Sequence, residues 1–315
     1  EGWRFLSNLQ KLESPRRLKM KKLTELLDKA KTVGKKTVAV VAADDGVVLN
    51  AVEMARKEGI VDAILFGSSE KISRAAHESG VDLSNYQVIN SVSPADDAAR
   101  TVAEGKASFI MKGNIQTGSL MKAVLKDEYN LKTGRTMSLV SIFETPLYHK
   151  LLIVTDAGMT IAPDLEQKIH LVENAVLVCR QAIGVEKPKV AVLGAIEVVN
   201  PKMEATIHAA LLSKMNERGQ IKGCIVDGPF ALDNAVSKEA AEHKGIMSPV
   251  AGDADILLMP DIEAGNIFYK SMIFLAGGKV ASAIIGAKCP VALTSRADTD
   301  ETKLLSLALT CLMAK

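Results

Sequence analysis

Aromatic residues are scarce in this chain, at 4% with a single tryptophan, and cysteine is scarcer, at four in 315 residues. Cys179, Cys224, Cys289 and Cys311 form no C-x-x-C pair, which removes zinc-knuckle and dithiol redox motifs. A chain of this length, 48% hydrophobic, can build a core without disulfide staples. Free, buried thiols in a reducing cytoplasm are therefore the expectation. The five histidines never stand three or four apart, so no metal site is expected. An excess of one charge is missing too: 39 Lys+Arg against 37 Asp+Glu leave +2, too little for a nucleic-acid partner. No apolar run approaches the ~20 residues that span a bilayer. The best, residues 271–287, carries Lys279 in its middle, so no membrane partner is expected.

Residues 1–19 lack a sustained apolar stretch and a small-residue cleavage site, which argues against a secretory signal. An amphipathic pattern starts at Met20, read here as the native start. The preceding stretch reads as an extension or a vector-derived segment, with a genuine N-terminal arm as the rival.

From residue 37 onward, short apolar runs alternate with helical spacing. Residues 37–43, 63–67, 87–89, 109–111, 151–155, 190–193, 224–226, 256–259 and 291–294 are strand candidates. Their unbroken hydrophobicity is that of strands covered on both faces. Residues 46–58, 93–104, 165–183, 203–217 and 266–275 repeat apolar positions at helical intervals. This alternation predicts an α/β protein with mainly parallel, doubly wound strands. Nine such strands exceed the commonest sheet size, so two sheets in two domains are expected. Residues 136–144 and 148–155 flank Thr145-Pro146 and look like an antiparallel pair, and the chain leaves its first domain near residues 131–135.

Ligands of open α/β sheets bind at carboxyl ends of strands, where loops lead into helix N-termini. In residues 108–122 a strand ends at Lys112-Gly113, a polar loop with Asn114 follows, and a helix begins near Thr117-Gly118-Ser119. Exposed N–H groups, the Thr117 and Ser119 hydroxyls and the ammonium groups of Lys112 and Lys122 suit a phosphate. A Gly-rich turn with a Ser or Thr helix cap explains the same residues without function. At residues 291–302 a buried strand delivers Ser295 and Arg296 to its end. Arginine offers phosphate a bidentate fork, and the neighbouring hydroxyl can donate to a developing oxyanion. Asp298 and Glu301 fit a capping arrangement, with Asp300 left in the helix's first turn. Acid-bearing loops at residues 155–158, 227–230 and 260–266 follow other strands, and together they suggest a polar cleft.

Several of these stretches carry a family likeness. Asp227-Gly-Pro-Phe230, residues 248–267 (SPVAGDADILLMPDIEAGNI) with Tyr269-Lys270, and Thr294-Ser-Arg296 resemble the phosphotransacylases, phosphate acetyltransferase and phosphate butyryltransferase. Thr133-Gly-Arg135, Phe143-Glu144, residues 155–159 (TDAGM), residues 161–168 (IAPDLEQK), Asn174-Ala-Val176 and residues 197–203 (EVVNPKM) look more like the butyryl branch. The likeness runs from about residue 20 to the last residue.

The resemblance implies two α/β/α domains of the isocitrate-dehydrogenase-like kind with the active site in a cleft between them, and a homodimer. The first domain would hold residues 20–134 plus 289–315, and the second residues 135–288. The implied reaction is acyl-CoA + phosphate ⇌ acyl phosphate + CoA, through a ternary complex without an acyl-enzyme. Coenzyme A and phosphate are substrates in it, and no metal or other cofactor belongs to the transfer. On this reading Ser295 donates to the thioester oxygen and Arg296 clamps phosphate. Lys122 stands where the acetyl branch has an arginine, and Lys112, Asn114, Thr117, Asp261 and Asn266 line the cleft.

Two positions depart from the acetyl branch. Its catalytic aspartate, seven residues after the serine, falls on Thr302, and an arginine four residues after Tyr-Lys falls on Phe274. A thiol of pKa about 8.5 can leave as thiolate without a strong acid, and Asp300 is the substitute candidate. Phe274 would enlarge an apolar acyl pocket, consistent with butyryl. Acetyl preference is the nearest alternative. An NAD(P)- and metal-dependent decarboxylating dehydrogenase, which the fold permits, ranks below it.

Overall fold

The computed structural model describes residues 20–294 and 298–315. Among these residues eleven strands form one sheet: β1 (Lys36–Val41), β2 (Val61–Gly67), β3 (Gln87–Asn90), β4 (Phe109–Lys112), β5 (Ser138–Glu144), β6 (Leu152–Thr155), β7 (Lys189–Leu193), β8 (Ile225–Phe230), β9 (Ile256–Leu258), β10 (Lys279–Ile285) and β11 (Val291–Ala292). Their order is β3-β2-β1-β4-β11-β10-β5-β6-β9-β7-β8. The pairs are parallel except where β10 meets β11 and β5, and where β5 meets β6. The antiparallel β5–β6 pair matches its expectation, with Ser141 opposite Val154.

The expectation of two sheets is corrected. The joining element is β10, which lies inside the apolar run 271–287 and was not among the strand candidates. It pairs along its whole length with β5, Lys279 opposite Glu144 and Ile285 opposite Ser138, and on its other edge with β11. One strand thus stitches the group β1–β4 with β11 to the group β5–β9.

Among the described residues eleven helices cover the sheet: α1 (Glu25–Thr32), α2 (Gly46–Lys57), α3 (Ser69–Ser79), α4 (Pro94–Ala103), α5 (Thr117–Val124), α6 (Leu165–Val178), α7 (Glu204–Glu217), α8 (Leu232–Val236), α9 (Lys238–His243), α10 (Ile262–Phe274) and α11 (Asp300–Met313). Alternate residues of each strand feed two separate cores. Val38 and Val40 of β1, and Val140 and Ile142 of β5, belong to one layer. Ala39 and Val41, with Leu139 and Phe143, belong to the other. Both faces are therefore apolar, which is why these strands read as continuous hydrophobic runs.

Local signals set the helix starts. Asp45 accepts from the Val47 and Val48 N–H groups to open α2, and Asp164 with Gln167 forms a reciprocal capping box on α6. At α11 the cap is Thr299, whose hydroxyl accepts from the Thr302 N–H at 3.2 Å. This corrects the Asp298–Glu301 arrangement: Glu301 turns instead to Lys279, 2.7 Å away.

Candidate functional site

Near the middle of the sheet, on the β4 and α10 side, lies a cavity of about 310 Å³. The β1–β4/β11 group contributes Lys112, Thr117, Leu293 and Thr294. From the other group come Leu139, Ala157 and Gly158, and α10 adds Asn266, Tyr269 and Lys270.

Lys112 is the last residue of β4 and 8% exposed, with its Nζ donating to the Gly113 carbonyl at 3.3 Å. The chain then turns against the end of β1. The Gly113 N–H donates to Val41 O at 2.9 Å and the Asn114 N–H to Ala42 O at 2.8 Å. A Cβ at Gly113 would stand 2.3 Å from Ala42 O and 2.4 Å from Val41 O, so only glycine permits the approach. That turn sets the start of α5 beside the lysine. Among the described residues no side chain caps α5, whose N-cap is Gln116, and Thr117 occupies its first position. Ammonium, hydroxyl and the positive end of a helix therefore share one wall, a combination that favours an anion.

The facing wall hangs on Asp156, which is 2% exposed. Its Oδ1 accepts from the N–H groups of Leu139 (3.2 Å), Gly158 (2.9 Å) and Met159 (3.1 Å), and Oδ2 from Thr160 (2.9 Å). Burial pushes this carboxyl above the ordinary aspartate range, while the four N–H donors pull it down. Against this loop packs α10, capped by Asp261, whose Oδ1 accepts from the Ala264 N–H at 2.8 Å. Gly265 lets the helix close in, since a Cβ there would stand 2.2 Å from Asp156 O. Asn266 Nδ2 then donates to Ala157 O at 3.1 Å. One turn on, Tyr269 is buried edge-on to Phe143 at 5.4 Å between ring centroids. Burial raises its phenol pKa, so it stays neutral. Lys270 Nζ lies 5.3 Å from the centroid of that ring.

Of the residues expected from sequence, Lys112, Thr117 and Asn266 meet in this cavity. Asn114 and Lys122 are exposed and not among its lining residues. Lys122 follows the buried Met121 on α5, and the helix turns it outward. Asp261 serves as a helix cap. Phe274 is 64% exposed at the last turn of α10, outside the lining. Asp300 sits in the first turn of α11. Ser295 and Arg296 lie outside the described residues, although Thr294, the residue before them, lines the cavity.

Sequence reasoning quoted Tyr269-Lys270 and the loop of Gly158 as motif residues without assigning them to the site, and passed over Leu139. The available signal was the acid-bearing loop at residues 155–158, whose aspartate organises the wall. All four cysteines are buried, and none is joined to another in a disulfide. Burial pushes the Cys224 and Cys311 thiols up to about 11 and Cys289 to about 12, which leaves them unreactive. Among the described residues no His/Cys/Asp/Glu cluster is placed to hold a metal, and no helix is long and apolar enough to cross a membrane.

Residues 92–311 match the family model for phosphate acetyl/butaryl transferase. The chain is 53% identical over 296 residues to a phosphate acetyltransferase of Thermotoga maritima, covering 93% of this chain and 99% of that protein. It is 47% identical over 298 residues to a phosphate butyryltransferase of Clostridium acetobutylicum, covering 94% and 99%. Among solved structures, a branched-chain phosphotransacylase from Enterococcus faecalis V583 superposes with a TM-score of 0.78 at 34% identity. That match covers 89% of this chain and 100% of the other.

Proposed function

Because the chain belongs to the phosphate acetyl/butyryl transferase family of acyltransferases, we infer that its cavity is where a short acyl group, butyryl by preference, passes between coenzyme A and inorganic phosphate. The observation that carries this reading is the convergence of Lys112, Thr117, Asn266 and Lys270 on one small cavity drawn from both strand groups. Two ammonium groups and an uncapped helix start are what a phosphate dianion requires, and the apolar Leu139, Tyr269 and Leu293 suit a hydrocarbon tail.

In the forward direction a phosphate oxygen attacks the thioester carbon and the carbonyl oxygen gathers charge. The carbon–sulfur bond then breaks and coenzyme A leaves as thiolate, to take its proton from solvent. Lys112 and the start of α5 hold the phosphate, and Ser295 and Arg296 serve the oxyanion and the phosphoryl oxygens. Alignment of two bound substrates is itself worth several kcal/mol, up to ~7–11 when ideal. Electrostatic donors at the developing oxyanion add roughly 3–4 kcal/mol each. Asp300, at the start of α11, is the candidate base that takes the coenzyme A thiol proton in the reverse direction. Coenzyme A and phosphate are co-substrates, and the transfer balances without a redox or metal group.

The same reading carries two isocitrate-dehydrogenase-like lobes, residues 20–134 with 289–315 and residues 135–288, meeting along β11 and β10. It also carries a cytoplasmic homodimer, which light scattering would test.

The test mixes protein, butyryl-CoA and phosphate and follows free thiol. Phosphate-dependent release is expected, with kcat/KM higher for butyryl-CoA than for acetyl-CoA. Release that ignores phosphate would sink the transferase reading. Arg296→Ala should raise the phosphate KM and lower turnover sharply. Unchanged kinetics in that variant would move the anion site elsewhere.

A further inference from the structure

We propose that Gly158 and Leu139 together form the size gate that admits acyl groups longer than acetyl. The proposal rests on the functional reading above and deepens it to substrate class: linear or branched chains of about three to five carbons. Both residues line the cavity that Lys112 and Thr117 also line.

The geometry makes position 158 a place where one methyl group decides the available space. A Cβ built there stands 3.0 Å from Leu139 Cδ2, closer than an ordinary van der Waals contact. The backbone at Gly158 is not left-handed, so alanine is conformationally allowed, and its effect is confined to the side chain it meets. Leu139 is 6% exposed and packed in the α10-side core, so its methyl must shift to relieve the contact, and the cavity is the open side.

The two residues cannot drift apart to relieve the contact either. The Leu139 N–H and the Gly158 N–H donate to the same Asp156 oxygen, at 3.2 and 2.9 Å. Behind that loop α10 is in contact through Gly265, and Asn266 bonds Ala157 O at 3.1 Å. A gate whose two sides are tied to one buried carboxylate discriminates by volume rather than by adjusting to the ligand. One methylene in such a pocket typically changes kcat/KM by about 10- to 200-fold.

The experiment measures phosphate-dependent thiol release with acetyl-, propionyl-, butyryl-, isobutyryl- and valeryl-CoA. It compares the parent protein with Gly158→Ala, Leu139→Ala and Leu139→Val, each checked for cooperative melting. In the parent, butyryl-CoA should exceed acetyl-CoA. Gly158→Ala should lower the butyryl-to-acetyl ratio of kcat/KM by about tenfold or more, and Leu139→Ala should move the optimum to longer chains. If Leu139→Ala does not fold, Leu139→Val reads the same shift at smaller amplitude.

A ratio unchanged within about twofold in all folded variants, or a parent that favours acetyl-CoA, would overturn the gate. The underlying functional reading fails differently: no acyl-CoA would then release thiol in response to phosphate, in the parent or in any variant.

Discussion

Two loops reach the same cavity by opposite constructions. The turn after β4 is fastened to the end of β1 by backbone: the Gly113 and Asn114 N–H groups donate to the Val41 and Ala42 carbonyls. The loop after β6 is held by a side chain, with one buried carboxylate gathering four N–H groups. On the proposed reading the first loop presents the Lys112 ammonium to phosphate. The second carries shape, and a central acceptor fixes several atoms at once. On the proposed reading, anion binding and size selection are built separately and assembled where the strand groups meet.

The contrast breaks most visibly at Asp156. Asp156→Ala leaves four buried or half-buried N–H groups without their acceptor and should cost about 3–5 kcal/mol of stability, read from the urea midpoint. If Asp156→Ala costs under about 1 kcal/mol, the carboxylate is not the organiser of that wall. On the charged side, Lys112→Ala should lower kcat/KM for phosphate about 10²-fold, roughly 2.7 kcal/mol of transition-state stabilisation. The acyl-CoA KM should move less; equal losses for both substrates would mean Lys112 supports the fold rather than phosphate. Gly113→Ala should destabilise by about 1–3 kcal/mol because its Cβ meets backbone oxygen that cannot rotate away. A wild-type melting curve for that variant would show that the turn relaxes.

The smallest expected effect lies away from the cavity, where each group of strands carries a carboxylate within a cationic network. Hydrogen bonding from Arg56 lowers Glu53 from 4.5 to about 2, with Tyr86 and Lys57 adding to it. Asp253 is lowered as well: burial pushes it up, but Lys189, Lys150 and His149 prevail. A carboxyl depressed on folding contributes its stability above the unfolded pKa and loses it as pH falls through the folded value. The Glu53 contribution should therefore be complete above about pH 4.5 and fade toward pH 2. Denaturant midpoints across that window check it, and Glu53→Gln should flatten the slope. An unchanged slope would assign the acid sensitivity to the Asp253 network.

Much of the architecture was legible because burial on both faces writes itself into consecutive residues. Residues 37–43 and 256–259 could hardly be anything but covered strands. Helix α10 starts four residues before the expected position 266, because its signal was a cap, Asp261, that sequence reasoning assigned to ligand. The strand β10 escaped notice for a different reason. Its residues are apolar enough to merge with the end of α10, and its partners β5 and β11 lie on opposite sides of it in sequence.

The cavity divided along the same line. Lys112 and Thr117 sit where a strand hands over to a helix, a junction that residue order displays. Leu139 and Gly158 carry no chemical label, and a leucine opposite a glycine becomes informative only once their separation is known. Phe274 attracted attention by its type, yet helix phase and packing leave it 64% exposed.

Residue order by itself therefore determined the alternation of strand and helix, the absence of disulfide staples, and the strand-to-helix turn suited to an anion, because these depend on neighbours within a few positions. The tertiary structure decided that the strands form one sheet rather than two, that Asp156 organises a wall, and which side chains bound the cavity. Those outcomes depend on contacts between residues far apart in the chain, such as Lys279 opposite Glu144. Such a pairing is selected by the packing of the whole core and leaves no periodic trace in either segment.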